Sequence, residues 1–209
     1  MGRRLLLIGG GGHCHSVIDS VISLNTFEEI GIIDNMSTPC LEINVVGTDG
    51  DLPRLIFEGW LEAFITVGSV GNTMARRRLY EMVKGLGFVI PTIIDPSVII
   101  AKGCEISEGT FIGKRAVVNS GSSLGICTII NTGAIVEHDC SIGDFSHISP
   151  GAVLCGQVKV GSDSHIGAGS VVRQHIVIGN HALIGLGSVV IKDLPDDVKA
   201  YGNPCKVVE

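Results

Sequence analysis

An aliphatic residue recurs at every sixth position through the second half of the chain, in an unbroken series of 17 from Ile94 to Val190. Chance would give such a series with a probability on the order of 10⁻⁸. Four places after each aliphatic residue the side chain is mostly small, which is typical of an inward position where space is limited. A period of six fits neither the helical period of about 3.6 residues nor the strand period of about 2.

A prism with three flat faces explains the period, because each hexad forms one face and three hexads close a coil of 18 residues. The 17 hexads make about 5.7 such coils of parallel strands, and each coil covers the apolar layer of the next. Glycine directly follows the aliphatic residue in pairs such as Ile112-Gly113 and Ile142-Gly143, which suits the corners of a prism. The segment is therefore predicted to be a three-sided parallel β-solenoid.

The first half of the chain has a different pattern, in which short strands alternate with helices. Apolar runs and helical periodicity predict three strands and two helices, in the order Leu5–Ile8, His13–Leu24, Ile30–Ile33, Phe64–Val67 and Asn72–Lys84. This alternation predicts a small parallel sheet in a Rossmann-like α/β domain. We accordingly expect the α/β domain over residues 1–88, the solenoid over 89–195 and a C-terminal tail over 196–209.

Composition narrows the class of protein. Of the 209 residues, 29 are glycine without a Gly-X-Y period and 45% are hydrophobic, so a collagen and a disordered chain are both excluded. Only 4% are aromatic, which suits a narrow interior of Ile and Val. The net charge of −6 argues against a nucleic-acid partner, since phosphate neutralisation needs clustered Lys and Arg. The one dense basic run, Arg76 to Arg78, is predicted to lie on the solvent-facing side of a helix.

Cysteine usage and the N-terminus bear on the location of the protein. Seven cysteines at scattered spacings, with no CxxC pair, are typical of reduced thiols and predict a cytoplasmic protein. The apolar stretch after Arg4 is too short for a signal peptide, and no apolar run approaches the ~18 residues of a membrane span. We therefore expect no membrane partner.

Four glycines, Gly9 to Gly12, stand between the first predicted strand and the first predicted helix. Free backbone N–H groups and the helix dipole favour an anion such as a phosphate at a turn of this kind. The dinucleotide fingerprint Gly-x-Gly-x-x-Gly nevertheless fails, because Cys14 or His15 stands where its third glycine belongs. A nicotinamide-dependent dehydrogenase is therefore disfavoured.

Residues 94 to 195 resemble the hexapeptide-repeat acyltransferases, and the tail Gly202-Asn203-Pro204-Cys205-Lys206 is similar to the Gly-x-Pro-Ala-Lys ending common in them. The turn from Gly9 to His13 resembles the Gly-x-x-Gly-His turn of one subgroup, the sialic acid O-acetyltransferases and the N-acetyltransferases of nucleotide-linked 4-amino sugars. The resemblance implies a left-handed parallel β-helix, acetyl-CoA as acyl donor, a nucleotide sugar held by the Rossmann-like domain, and a homotrimer with active sites between subunits.

His138 is the candidate general base, because it lies at a corner with a carboxylate on either side, Glu137 and Asp139. The matching Glu-His-(Asp/Glu)-Cys segment carries the catalytic histidine of the subgroup, and the acid after the histidine is thought to polarise the ring. That role falls to Asp139, with Glu137 as the alternative. Gly156, one coil after His138, is positioned to offer a backbone N–H to the tetrahedral oxyanion.

The resemblance implies two further groups of residues. It places near acetyl-CoA the side chains of His147, Ala168 and Leu186. It places near the nucleotide sugar the residues Gly11, Gly12, His13, Asp34, Asn35, Gly68 and Asn131. The function implied is acetyl-CoA-dependent N-acetylation of a nucleotide-linked 4-amino sugar in surface glycan synthesis, and the nucleotide, the sugar and the acyl chain stay open.

Other functions on the same fold were weighed against this one. A sugar O-acetyltransferase stays open, since the same histidine would serve a hydroxyl or an amine. A non-catalytic nucleotide-sugar-binding scaffold is disfavoured by the retention of His138 beside Asp139. A γ-type carbonic anhydrase would need histidines about 36 and then 5 residues after the first, but Gln174 and Gly179 stand there, so no zinc triad and no metal are expected.

Overall fold

The computed structural model describes residues 2–35 and 42–208. The first part is an α/β unit whose elements are, in chain order, β1 (Arg4–Ile8), α1 (Gly12–Leu24), β2 (Glu29–Ile33), β3 (Val45–Gly47), a 3₁₀ turn (Asp49–Asp51), α2 (Leu52–Phe57), β4 (Glu62–Ile65) and α3 (Met74–Gly85). The four strands form one parallel sheet in the order β3-β2-β1-β4. The predicted parallel α/β arrangement is confirmed, whereas β3 and α2 were not predicted.

The central strand β1 is buried on both sides, since Leu5 to Ile8 are each at most 1% exposed. Successive side chains of a strand point to opposite faces of its sheet. Accordingly Leu5 and Leu7 pack with α1, and Leu6 and Ile8 pack with α3. The glycine turn after β1 therefore lies at the carboxyl edge of the sheet, where open parallel sheets bind their ligands.

From Ile93 onward, two-residue strands wind into a left-handed parallel β-helix with three faces. The first face contains β5 (Ile93–Ile94), β8 (Phe111–Ile112), β11 (Ile129–Ile130), β14 (His147–Ile148), β17 (His165–Ile166) and β20 (Leu183–Ile184). The second contains β6 (Ile99–Ile100), β9 (Val117–Val118), β12 (Ile135–Val136), β15 (Val153–Leu154), β18 (Val171–Val172) and β21 (Val189–Val190). The third contains β7 (Glu105–Ile106), β10 (Ser123–Leu124), β13 (Ser141–Ile142), β16 (Lys159–Val160) and β19 (Val177–Ile178).

The predicted hexad period is confirmed in the register of these strands. Each strand pairs with the strand 18 residues later, as Ile130 does with Ile148. The aliphatic residues of the series from Ile112 to Val190 are all at most 3% exposed and form one continuous core. The first three members of the series are only partly buried, because they lie in the terminal coil, which has a neighbour on one side only.

The parallel pairing continues beyond residue 195. Strand β22 (Lys199–Tyr201) pairs with β20 at an offset of 16 residues, two fewer than in the other coils, and β23 (Lys206–Val207) then pairs with β22 in antiparallel fashion. Part of the segment predicted as a tail therefore completes the first face. Among the described residues, no helix is long and apolar enough to cross a membrane.

Helix α3 packs against the corner between the third and first faces of the β-helix. Arg77 on this helix makes a two-pronged ion pair with Asp163 at 2.6 and 2.7 Å. Arg78 is exposed, as predicted for the basic run, but Arg76 is only 3% exposed. The prediction of a solvent-facing Arg76 is wrong, because the β-helix covers that side of α3, which sequence periodicity within the helix does not show.

Candidate active site

His138 lies directly after β12, at the corner between the second and third faces. Its side chain is 54% exposed, and its Nδ1 lies 2.9 Å from Oδ2 of Asp139. An ionised carboxylate can only accept a hydrogen bond, so Nδ1 carries the proton and Nε2 of the neutral ring is free to accept one. Of the two carboxylates that flank the histidine, Asp139 is the one in contact with the ring.

Two glycines make room for this pair. A Cβ atom on Gly156 would lie 2.4 Å from Nε2 of His138, and one on Gly121 would lie 2.4 Å from Oδ1 of Asp139. The imidazole therefore lies directly against the backbone one coil later. The Gly156 N–H donates no hydrogen bond to any described residue, so it is available for an oxygen that approaches this corner.

A groove of about 460 Å³ lies between the α/β unit and the corner that follows the first face. We call it the interdomain groove, and its lining residues are Gly12, His13, Ser16, Gly68, Ser69, Val70, Asn131, Thr132, His147 and Pro150. Helix α1 begins at Gly12 with no acidic residue in its first turn, so its dipole favours an anion here. Four residues assigned to the nucleotide sugar thus come together, and His147, which was assigned to acetyl-CoA, lies among them.

A chain of hydrogen bonds fixes His147 in this groove. The Thr132 N–H donates to Oδ1 of Asn131 at 2.8 Å, which directs the amide Nδ2 of Asn131 toward Nε2 of His147 at 3.1 Å. On the other side of the ring, Nδ1 donates to the carbonyl oxygen of Ser69 at 3.1 Å. A carbonyl can only accept, so His147 is the neutral tautomer protonated at Nδ1. Burial lowers the pKa of His147 to about 3, in agreement with a neutral ring.

Two more histidines near this groove are neutral. Burial and the nearby positive charge of Arg76 lower the pKa of His13 to about 4, and burial also lowers the pKa of His165. The ring of His165 packs edge-on against His147 with centroids 4.9 Å apart. A cationic partner for a phosphate is therefore not supplied by these rings. Among the described residues, no group of three His, Cys, Asp or Glu side chains could hold a metal ion.

Asp34 and Asn35 lie after β2, beside the glycine turn. A carboxylate oxygen of Asp34 accepts a hydrogen bond from the Gly10 N–H and so fixes the turn. Both residues line a smaller groove of about 190 Å³ at the carboxyl edge of the sheet, together with Asp49 and Arg78. Gly11 is the exposed N-cap of α1 between the two grooves. The glycine turn therefore separates a site suited to a nucleoside from the interdomain groove.

Ala168 and Leu186 continue the corner that lines the interdomain groove. They follow Pro150 at intervals of one coil, as the pairing of β14, β17 and β20 requires, and both are exposed. His138 stands at the far edge of the second face, six extended residues after Thr132, which corresponds to roughly 20 Å. One chain therefore does not bring His138, Asp139 and Gly156 together with the groove.

Sequence reasoning missed several residues of these sites. Gly121 has no local signal beyond the corner glycines, and its role appears only when Asp139 is placed one coil away. Ser69 lies in a loop and contacts His147 through its backbone, which no side-chain pattern reports. The buried Arg76 was assigned to solvent.

The comparisons with known proteins agree with this geometry. Residues 4–83 match the family model "PglD N-terminal domain". A histidine variant of perosamine N-acetyltransferase from Caulobacter crescentus, in complex with CoA and GDP-perosamine, is 34% identical, with a TM-score of 0.94 over 100% of this chain and 97% of that one. The acetyltransferase domain of PglB from Neisseria gonorrhoeae, in complex with acetyl coenzyme A, is 35% identical, with a TM-score of 0.94 over 100% of both chains.

WeeI from Acinetobacter baumannii is 24% identical with a TM-score of 0.87 over 99% of this chain and 100% of that one, and shows the fold alone. No curated protein matches the sequence. The fold and the two corners define a hexapeptide-repeat acetyltransferase. More particularly, the chain belongs to the family of sugar acetyltransferases in which a PglD N-terminal domain precedes a left-handed β-helix.

Proposed function

We propose that this protein is an acetyl-CoA-dependent N-acetyltransferase that acts on the amino group of a nucleotide-linked 4-amino sugar in surface glycan synthesis. One observation carries the proposal: an exposed imidazole has its Nδ1 held by Asp139 and its Nε2 placed over a glycine backbone. Relatives that cover nearly the whole chain were solved with CoA and GDP-perosamine or with acetyl coenzyme A, which supports both the donor and the class of acceptor.

The geometry suggests how the reaction proceeds. The nitrogen of the acceptor attacks the thioester carbonyl, so a C–N bond forms and the carbonyl oxygen becomes an oxyanion that the Gly156 N–H is placed to stabilise. Nε2 of His138 takes the proton that the nitrogen loses, and Asp139 stabilises the imidazolium. The C–S bond then breaks, and the same proton passes to the departing CoA thiolate.

The nucleotide sugar is assigned to the two grooves of the α/β unit. Its nucleoside would occupy the smaller groove at Asp34 and Asn35, and its diphosphate would lie at Gly11 and Gly12, where the helix dipole favours negative charge. The sugar would then extend into the interdomain groove toward Gly68 and Asn131. Acetyl-CoA would lie along the corner of Ala168 and Leu186, with its acetyl group directed toward His147.

We further propose a homotrimer in which each active site combines two chains. The support is the separation of roughly 20 Å between His138 and the groove of its own chain. A threefold arrangement of three-sided prisms can place the corner of His138 from one subunit against the interdomain groove of the next. A cytoplasmic location is supported by six free thiols, which suit a reducing compartment.

Thiol release from acetyl-CoA, followed with a thiol reagent across UDP-, GDP- and dTDP-linked 4-amino sugars and sialic acids, tests the function. Release with one amino sugar is expected and would identify the nucleotide. Release only with sialic acids would instead establish O-acetylation, and silence across the panel would contradict the proposed acceptor class. His138→Ala should lower kcat by roughly 10²–10⁴-fold with acetyl-CoA affinity nearly unchanged, and near-normal turnover would remove His138 from the role of base.

A further inference from the structure

Arg76 on α3 is buried without an acidic partner. The residue is 3% exposed, and none of the hydrogen bonds that it makes to described residues involves a carboxylate. Burial lowers its pKa to about 10, which leaves the guanidinium charged near neutral pH. Burying such a charge is costly unless its donors are satisfied, so the position calls for a specific reason.

The donors of Arg76 meet two carbonyls that the β-helix does not use itself. Nη1 donates to the carbonyl oxygen of Phe145 at 2.9 Å, and Nη2 donates to that of Cys127. Both acceptors are corner residues with left-handed backbone, at φ angles of 58° and 52°. At these corners the carbonyl of the preceding residue accepts the bond between coils, as Ile126 does from the Phe145 N–H. The carbonyls of Phe145 and Cys127 are therefore free for Arg76.

A third contact joins Arg76 to the interdomain groove. Its Nη1 also lies 3.3 Å from Oγ of Ser69, and the carbonyl of the same serine accepts the hydrogen bond from Nδ1 of His147. Ser69 and its neighbours Gly68 and Val70 form one wall of the groove. The guanidinium thus links the rigid corner of the β-helix to the loop that sets the orientation of His147.

We propose that Arg76 is a positioning residue for acetyl transfer: it holds the loop of Gly68 to Gly71 against the β-helix and thereby keeps His147 oriented on the floor of the groove. The inference rests on the proposed function for its kinetic consequence, whereas its structural consequence at His147 does not. Lysine cannot replace Arg76, because a single ammonium group on a flexible stem cannot span two fixed carbonyls and a hydroxyl as the planar fork does.

Arg77 offers a matched control on the same helix. It also ties α3 to the β-helix, through Asp163, but it has no contact with Ser69 or with the groove lining. A lysine at this position keeps a charge for the buried carboxylate. Loss of general docking between α3 and the β-helix would affect both arginine variants, whereas loss of groove positioning would affect only Arg76.

The test compares Arg76→Lys with Arg77→Lys in the full-length protein. The first is expected to raise the KM of the nucleotide sugar identified by the thiol-release panel by roughly tenfold or more, with the KM of acetyl-CoA changed much less. The second is expected to leave both constants nearly unchanged. Side-chain ¹⁵N shifts of His147 report its tautomer and need no substrate, and in Arg76→Lys they should lose the pattern of a ring protonated at Nδ1 alone.

Three results would overturn the proposal. Unchanged KM and unchanged His147 shifts in a folded Arg76→Lys variant would leave Arg76 a purely structural contact. Equal losses in both lysine variants would attribute the effect to docking. Failure of guanidinium ion to restore the Nδ1-protonated pattern in Arg76→Ala, if that variant stays folded, would also contradict it. If the panel itself is silent, the ¹⁵N shifts still decide the inference, so its failure is distinguishable from failure of the proposed function.

Discussion

The contact between the His138 ring and the backbone of Gly156 leaves no space for even one methyl group. Gly156→Ala would place a carbon 2.4 Å from Nε2, so the imidazole must turn away from the oxyanion position. We expect kcat to fall by roughly 10²-fold, because small displacements of a catalytic group are costly. Gly85→Ala at the end of α3, where an added Cβ meets nothing within 4 Å, is the control and should retain full activity.

The neutral histidines make the folded state sensitive to acid. The folded-state pKa is about 3 for His147 and about 4 for His13, below the ordinary value of 6.5. Unfolding therefore takes up protons in this range. Their contribution to stability is complete above pH 6.5 and is lost as the pH falls toward the folded-state values, at up to about 1.4 kcal/mol per pH unit for each ring.

Thermal unfolding midpoints at about pH 7 and about pH 5 check this expectation. The wild-type midpoint should drop between the two, and His147→Gln should show a smaller drop even if its stability is lower overall. An equal drop in the two proteins would mean that His147 is not held neutral in the folded state.

Residues with a local signal were predictable, and residues defined by tertiary contacts were not. His138 and Asp139 stand together in the sequence, and the 18-residue coil relates both to Gly156. Arg76 belongs to an ordinary basic run, and nothing nearby in the sequence shows that two corner carbonyls cover it. His147 was recognised as a site residue, but only the packing of the α/β unit on the β-helix shows its contact with Ser69.

At the scale of elements, the β-helix was predictable because every coil repeats the same packing. An inward aliphatic residue at each sixth position leaves little freedom in register, and the observed pairing follows the sequence to the last full coil. The α/β unit was less predictable where its elements are short. Strand β3 has three residues and α2 has six, which is too few for a periodic signal to emerge.

The inward and outward positions of the hexad should differ sharply in their contribution to stability. Ile148 is 0% exposed in the core and Ile99 is 65% exposed on the second face. Ile148→Ala is expected to destabilise the fold by about 2–5 kcal/mol, since it leaves a cavity between coils, and Ile99→Ala by much less than that. Denaturant unfolding of both variants tests the assignment, and comparable losses would mean that the outward position is also packed.

At the scale of the whole molecule, the shape of the prism determines how the site can be assembled. The α/β unit covers the first face and lines a groove at one corner, while the base stands at the next corner across the second face. Packing within a chain cannot close that gap, because the β-helix between them is rigid and continuous. A ligand in the groove reaches a base only where the second corner of another copy approaches it.

Mixed trimers test this arrangement directly. His138→Ala retains the groove, and Gly12→Asp retains His138 but places a carboxylate where the diphosphate is expected, at a position with open space for a side chain. Each variant alone should be nearly inactive. Co-expressed and purified through two different tags, they should regain activity, because about a quarter of the sites in randomly mixed trimers would combine an intact groove with an intact His138 from the next subunit. A mixture as inactive as its components would place both halves of the site in one chain.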